Sequence, residues 1–413
     1  MLWLKLGWRN LWRSPRRTAI ELASIAGAVF LCMFMVCMQA GMYPKMIEEG
    51  TRMGSGHVGF YRKGYLDLRQ VSLSFPVTEL IAKLDKNPEV SGVYARVLLP
   101  GLARSSHDSR GGVMMGVDFP REAEINPLLK DKRIVEGRLP EEDKLWEAVM
   151  GAELANELGL KLGRKFVWMA QDHKGEMVSR LFRVRGLLDT GIPDIDKGAV
   201  LVHRRAAARL LGAEDRAHEL AVLLSDYRQA ERFLPKAEEL ASGLAGVEAL
   251  PWQEAMPQIA DAIRLDRTSG YIFFGLILVL VGLGTANTML MSVMERVREF
   301  GVVRALGLGG PGIVSMVFAE GVVLGVFGAV VGILLWIPLG LYGMTHGIDF
   351  SGLMSGEGQE FGGVLIEPIL KTGWDWPKTA VVTLIVAALA LVASIYPTCR
   401  ALRVRPADAM RRY

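Results

Sequence analysis

Four stretches of this sequence are long enough and apolar enough to cross a lipid bilayer, and they constrain every other reading of the chain. Ala19 to Met38 reads AIELASIAGAVFLCMFMVCM, and a helix of about 20 residues at about 1.5 Å each matches a hydrocarbon core of roughly 30 Å. Tyr271 to Met294, Ile313 to Leu341 and Thr379 to Tyr396 meet the same test. A basic arm before the first run also fits a secretory signal, but the run is too long and lacks an A-x-A site, so an uncleaved anchor is expected. The chain divides into an arm (1–18), a first span (19–42), a large domain (43–268), a second span (269–294), a turn with a short helix (295–312), a third span (313–341), a loop (342–378), a fourth span (379–397) and a tail (398–413).

Composition supports this block structure. Hydrophobic residues make up 51% of the 413 residues while charged residues still supply 22%, so the apolar residues are concentrated rather than spread evenly. The net charge of +4 is too small for a general nucleic-acid binder, and its placement is a topology signal. Lys5, Arg9, Arg13, Arg16 and Arg17 precede the first acid, Glu21, and Arg296, Arg298 and Arg304 sit between the second and third runs. Arg400, Arg403, Arg405, Arg411 and Arg412 face Asp408 alone in the tail. All three segments are therefore expected in the cytoplasm. The loop before the fourth run holds Asp349, Glu357, Glu360, Glu367 and Asp375 against Lys371, as an outward loop tolerates. Trp3, Trp8, Trp12, Trp374 and Trp376 read as interfacial anchors. No nucleic-acid partner is expected.

The large domain then lies outside the cytoplasm. HVGFY, GVYARVLL, GGVMMGVD, RKFVWMA, LFRVRGLL, GAVLVH and ELAVLLS read as strands, and VTELIAKLDK, AVMGAELANELG and YRQAERFLPKAEELASGL as helices. This is an α+β pattern, expected as two subdomains with one inserted in the other. Catalytic constellations are missing from the pattern. The histidines 57, 107, 173, 203, 218 and 346 are scattered without metal-ligand spacing, and adjacent Ser106, His107 and Asp108 lack the convergence a triad needs. Cys32, Cys37 and Cys399 form no disulfide framework or zinc site. Cys32 follows Phe30 and Leu31, so it lacks a lipoprotein-processing context and is expected as a lipid-buried thiol. The domain reads as a binding or gating module, and neither an enzyme nor a channel is expected.

Asn287 to Gly310 reads NTMLMSVMERVREFGVVRALGLGG: a membrane helix, a charged turn, then a short helix ending at Gly307 before Pro311 restarts the chain. With WRNLWRSPRRT (8–18), GVD (116–118), EGRLPEEDKLWEAVMGAELANELGLKLG (136–163) and YPTCRALRVRPADAMR at the end, the chain resembles the FtsX-like permease family. That family includes the lipoprotein-releasing (Lol) permeases and MacB-type macrolide exporters. The resemblance runs in order along essentially the whole chain. It implies an α-helical membrane protein with four transmembrane helices and a MacB-like periplasmic core domain of α+β fold between the first and second. It also implies a subunit of a mechanotransmitting ABC transporter in a bacterial inner membrane, paired with a second permease protomer as a homo- or heterodimer.

No G-x-x-x-x-G-K-[ST] phosphate loop occurs in these residues, so ATP and Mg are expected on a separate cytoplasmic ABC ATPase subunit and no cofactor on this chain. The resemblance places coupling to that ATPase on Glu295, Arg296, Arg298, Glu299, Gly301, Arg304, Ala305 and Gly307. Glu320 is an intramembrane carboxylate that is costly unless paired. Gly321, Gly325, Gly328 and Gly332 form two G-x-x-x-G spacings for close helix packing, within the chain or against another protomer. The resemblance implies an acyl-chain cavity lined by the first and second spans of opposite protomers, with Phe30, Phe34, Phe273 and Phe274 as wall residues and simple core packing as the other reading of each. The second span, long for a flat crossing, is expected to project outward as a stalk. The leading expectation is release of lipoproteins or a similar amphiphile; the alternatives are export through an adaptor, or regulation of a cell-wall hydrolase.

Overall fold

The computed structural model describes residues 8–9, 11–352, 359–366 and 368–402. Trp3, Lys5, Glu357, Glu367, Arg403, Arg405, Asp408, Arg411 and Arg412 lie outside the described residues, as does the side chain of Arg400. The chain forms two compact units: one of residues 1–43, 265–350 and 369–413, the other of residues 44–264 with 351–368. Part of the loop before the fourth span thus clusters with the large domain.

Among the described residues, four helices are long and apolar enough to cross a membrane. They run over Pro15–Met53, Pro257–Glu295, Gly310–Thr345 and Trp376–Leu402. Each exceeds the apolar run that marks it, because hydropathy reports where lipid is needed, whereas the backbone stays helical through polar turns that hydrogen-bond internally. The 39-residue second helix is about 58 Å long at about 1.5 Å per residue. Its Tyr271, Ile272, Leu276, Leu280 and Leu283 are 61–69% exposed, as a lipid-facing surface requires. The bundle interior brings Ile25, Val29 and Met33 of the first helix against Leu324 and Trp336 of the third and Val386 of the fourth. Cys32 and Cys37 belong to this same interior and Cys399 is exposed. Cys32 therefore packs against protein instead of lipid.

The large domain is organised by ten strands: β1 (Val58–Arg62), β2 (Val90–Arg104), β3 (Ser109–Val117), β4 (Ile134–Gly137), β5 (Glu147–Gly151), β6 (Lys165–Gln171), β7 (Met177–Leu188), β8 (Ala199–His203), β9 (Glu219–Leu224) and β10 (Val247–Pro251). The 15-residue β2 serves two sheets. Its first half pairs with β9, which pairs with β1, which pairs with β10. Its second half pairs with β3 on one side and β6 on the other. From β3 the pairing continues through β8, β5 and β7 to β6 and so closes on itself. The six strands form a small barrel, inserted in sequence between β1 and β9, with β4 added on the edge of β7. Trp168, Phe166, Phe182 and Leu99 are fully buried. Gly101 is required here, since a Cβ would meet the Trp168 indole nitrogen at 2.8 Å.

The seven strands expected from sequence are present, together with β4, β5 and β10, which the patterning missed. One helix is corrected. AVMGAELANELG is not helical throughout: Glu147–Gly151 is the fully buried β5, and only Ala152–Glu157 is helix. A short apolar run buried on both faces has no periodicity of its own, and pairing with β7 and β8 decides its conformation.

At the end of the first helix, Arg96, only 1% exposed, donates to the carbonyls of Met53 and Gly54 and to Glu122, with Nη2–Oε2 at 2.8 Å. Tyr94 adds its hydroxyl to the Thr51 carbonyl at 3.0 Å and carries the guanidinium over its ring at 4.7 Å. The last carbonyls of a helix have no partners of their own, and here β2 supplies them. Arg96→Met should lower stability by about 3–5 kcal/mol, since it leaves Glu122 buried and uncompensated; denaturant melts of the wild-type and variant chains in detergent measure the difference.

His218 is wholly buried, accepting from the Leu98 N–H at Nδ1 and contacting the Val71 carbonyl through Nε2. Burial, with the nearby Arg216 charge, pushes its pKa down to about 4 against the opposing Val71 carbonyl. Below about pH 6.5 the unfolded chain takes up a proton that the folded chain refuses. This group should therefore cost stability as pH falls from about 6.5 to about 4, by about 3 kcal/mol in all. His218→Gln should flatten that part of the stability–pH profile.

Candidate functional site: the charged turn after the second spanning helix

The apolar second helix ends at Glu295, Arg296 leaves helical geometry, and a short helix follows over Val297–Ala305. Gly307 terminates it with φ of 98°, a left-handed conformation that glycine adopts without strain. The Leu308 N–H then reaches back to the Val303 carbonyl, and Pro311 opens the third helix.

Charges from four segments converge on this turn. Arg13 binds Glu299 through two bonds of 2.9 Å, and Arg17 binds Glu295 at 2.7 Å. Arg296 donates to Glu299 at 3.3 Å and to Glu320 of the third helix at 3.1 Å, with its guanidinium over Phe300. Burial resists ionisation of Glu299, but the hydrogen bonds from Arg13 and Arg296 outweigh it and hold its pKa below the ordinary value. The exposed pairs are each worth about 0.2–1 kcal/mol. The Arg296–Glu320 pair is largely withdrawn from solvent, and breaking it from one side strands a charge. The arm, second helix, short helix and third helix are thus held by one network.

Sequence reasoning assigned docking to every charge in this turn, and the geometry separates them. Glu295, Arg296 and Glu299 are engaged within the chain, while Phe300 packs against Val293, Ile313 and Val317 and Gly301 is buried. Arg298 and Ala305 are exposed, Arg304 is half-buried, and Val302 and Leu306 are 48% and 83% exposed. Arg298, Val302 and Leu306 are spaced four apart and share one helix face. The outward face therefore carries apolar groups beside a single cation. Glu21 is a residue the sequence reading missed: it is 5% exposed, and its Oε1 has no hydrogen-bond partner among the described residues. Its one sequence signal is an acid two residues inside an apolar run.

The four glycines receive neighbours from this same chain. A Cβ on Gly328 would meet Ile25, on Gly332 Val29, on Gly325 Ala390 and on Gly321 Ser394. Phe30 and Phe34 each meet the Trp336 ring edge-on at 5.7 Å, and Phe274 packs against the same interior. Phe273 is exposed, so three of the four phenylalanines pack within this chain and Phe273 does not. Among the described residues no group of three or more His, Cys, Asp or Glu could hold a metal ion.

Residues 271–406, from the second spanning helix through the fourth, match the family model of the FtsX-like permease C-terminal domain. Residues 271–406 thus carry an FtsX-like permease C-terminal domain. The chain is 24% identical over 275 residues to the lipoprotein-releasing system transmembrane protein LolC of Neisseria meningitidis, covering 64% of this chain and 65% of that one. It is 22% identical over 338 residues to LolC of Xylella fastidiosa, covering 79% and 78%. It is 26% identical over 350 residues to the macrolide export ATP-binding/permease protein MacB of Nitrobacter winogradskyi, covering 80% of this chain and 52% of that protein. Among solved structures, the periplasmic region of MacB from Actinobacillus actinomycetemcomitans matches 52% of this chain and 98% of its own with 15% identity and a TM-score of 0.38. The extracellular domain of the transporter YknZ matches with a TM-score of 0.34 at 15% identity, covering 47% of this chain and 98% of its own.

The network makes a prediction for this protein. Arg296→Gln should destabilise the chain by about 3 kcal/mol, and adding Glu320→Gln should restore part of that loss, because the stranded carboxylate is then neutral. Thermal unfolding of both variants in nanodiscs measures the coupling; simple additivity would show that the pair is not the source.

Proposed function

We propose that this protein is the membrane subunit of an ABC transporter of the FtsX, Lol and MacB type, driven by a separate cytoplasmic ATPase. The observation that carries the reading is the outward face of the short helix at Val297–Ala305, where Arg298, Val302 and Leu306 stand exposed on a frame of ion pairs. An apolar group as exposed as Leu306 at a cytoplasmic turn suits a partner protein better than water. The excess of Lys and Arg in the arm, this turn and the tail supports a cytoplasmic side for all three, and with it a periplasmic large domain.

In this reading ATP and Mg are bound by the partner, whose closure moves the short helix. The ion pairs carry that movement to the arm and to the second and third spanning helices, and so to the large domain. Two permease protomers, alike or different, would work side by side. The cargo proposed is a lipoprotein or a comparable amphiphile released from the inner membrane, supported by similarity along 78% of the length of the Xylella LolC. Similarity to MacB supports the second reading, export together with an adaptor.

Leu306→Asp combined with Arg298→Glu should weaken ATPase association by about tenfold or more, the scale of a lost interface anchor. Affinity purification from native membranes followed by mass spectrometry provides the readout. Wild-type chain recovered with an ATPase and triacylated lipoproteins supports lipoprotein release, while an ATPase with an adaptor and no lipoprotein favours export. Undiminished ATPase recovery by the double variant would remove the short helix as the docking element.

A further inference from the structure

We propose that a groove between the amino-terminal arm and the third spanning helix binds an anionic phospholipid of the cytoplasmic leaflet, with one acyl chain along the helix and the headgroup phosphate on Arg9. The groove has a volume of about 690 Å³, and Trp8, Val322, Val326, Phe327 and Val330 line it, with Arg9 its single charged residue. Its size lies within the range of about 300–1,000 Å³ usual for small-molecule sites. From Val322 to Val330 the helix rises about 12 Å, most of the hydrocarbon depth of one leaflet. Trp8 meets Phe327 edge-on at 5.4 Å and Trp12 at 5.9 Å, so aromatic rings form the wall beside the arginine. An amphiphile with a long apolar tail and one anionic group matches that lining.

Charge bookkeeping within the arm favours this occupant. Arg13 and Arg17 are held by Glu299 and Glu295. Arg9 and Arg16 are exposed and make no ion pair among the described residues. An arginine in an otherwise apolar groove, with no carboxylate paired to it among the described residues, is suited to a phosphate, which its planar fork binds through two hydrogen bonds. The cytoplasmic leaflet supplies anionic headgroups at that depth.

The helix surface argues against a second protein helix as the occupant. Close helix packing in lipid uses small residues, and on the third helix Gly321, Gly325, Gly328 and Gly332 already receive side chains of this chain. The groove face, at Val322, Val326 and Val330, offers β-branched residues around a concavity that a flexible acyl chain can fill. Because Arg13 and Arg17 grip the 295–299 turn, lipid in the groove would steady the arm against that turn. The inference shares with the proposed function only the cytoplasmic placement of the arm.

The test reconstitutes the full-length chain in nanodiscs of equal parts phosphatidylglycerol and phosphatidylethanolamine, extracts it in mild detergent, and counts retained lipids by native mass spectrometry. Wild-type chain should retain one phosphatidylglycerol in preference to phosphatidylethanolamine. Arg9→Gln should lower that preference about fivefold, in line with about 1 kcal/mol for one cation near the surface. Val326→Trp, which fills the groove, should abolish retention of either lipid, and Arg16→Gln, outside the groove, should leave the preference unchanged. Equal losses from Arg9→Gln and Arg16→Gln would reduce the effect to a diffuse basic collar and overturn the site. So would efficient bismaleimide cross-linking of Val326→Cys between two copies, which would make the groove a protein interface. The readout is lipid retention rather than transport, so failure here leaves the transporter reading standing, and loss of ATPase docking leaves the lipid site standing.

Discussion

Charge at the edge of an apolar bundle has to be neutralised locally, and much of the membrane unit is arranged around that requirement. Glu320 lies on a helix that is otherwise almost wholly apolar, and Arg296 at the start of the short helix reaches it at 3.1 Å. Arg296 also holds Glu299, Glu299 holds Arg13, and Arg17 holds Glu295. None of the exposed pairs contributes much singly. Together they fix the short helix against three other segments while leaving its far side free. The proposed docking role needs both properties, because a helix that moved independently of the bundle could not pass on a push.

The large domain meets a related constraint with different groups. The first spanning helix ends with carbonyls that have no intrahelical partners, and β2 answers them with the Arg96 guanidinium and the Tyr94 hydroxyl. The same strand then joins two sheets, pairing with β9 along its first half and closing the barrel along its second. One strand thus ties a helix end, an open sheet and a barrel. Burying a guanidinium is expensive unless its donors are satisfied; here Glu122, Asn126 and the backbone carbonyls form a connected set.

Much of this was legible in the sequence, and the rest was not for identifiable reasons. The four spanning helices announce themselves through composition, since a lipid solvent admits few alternatives. The break at Arg296 and the stop at Gly307 are readable from a charged run and a glycine. The spacing of four between Arg13 and Arg17, and again between Glu295 and Glu299, is visible in the sequence, but it does not say that Arg13 finds Glu299 across more than 280 residues. The charges of the turn consequently looked equivalent, although three are internal and Arg298 is outward. β5 looked helical because five successive buried residues satisfy either periodicity.

The sequence by itself determined which segments are apolar enough to meet lipid, where the chain turns, and which family domain its C-terminal third carries, because these follow from local composition and motif order. Only the tertiary structure decided the partners: Arg296 with Glu320, Trp336 between Phe30 and Phe34, and β6 with β2 to close the barrel. Those pairings depend on which distant groups the fold brings within a few ångströms. Hydrogen bonds and ion pairs fall off over that same distance, and no local pattern encodes it.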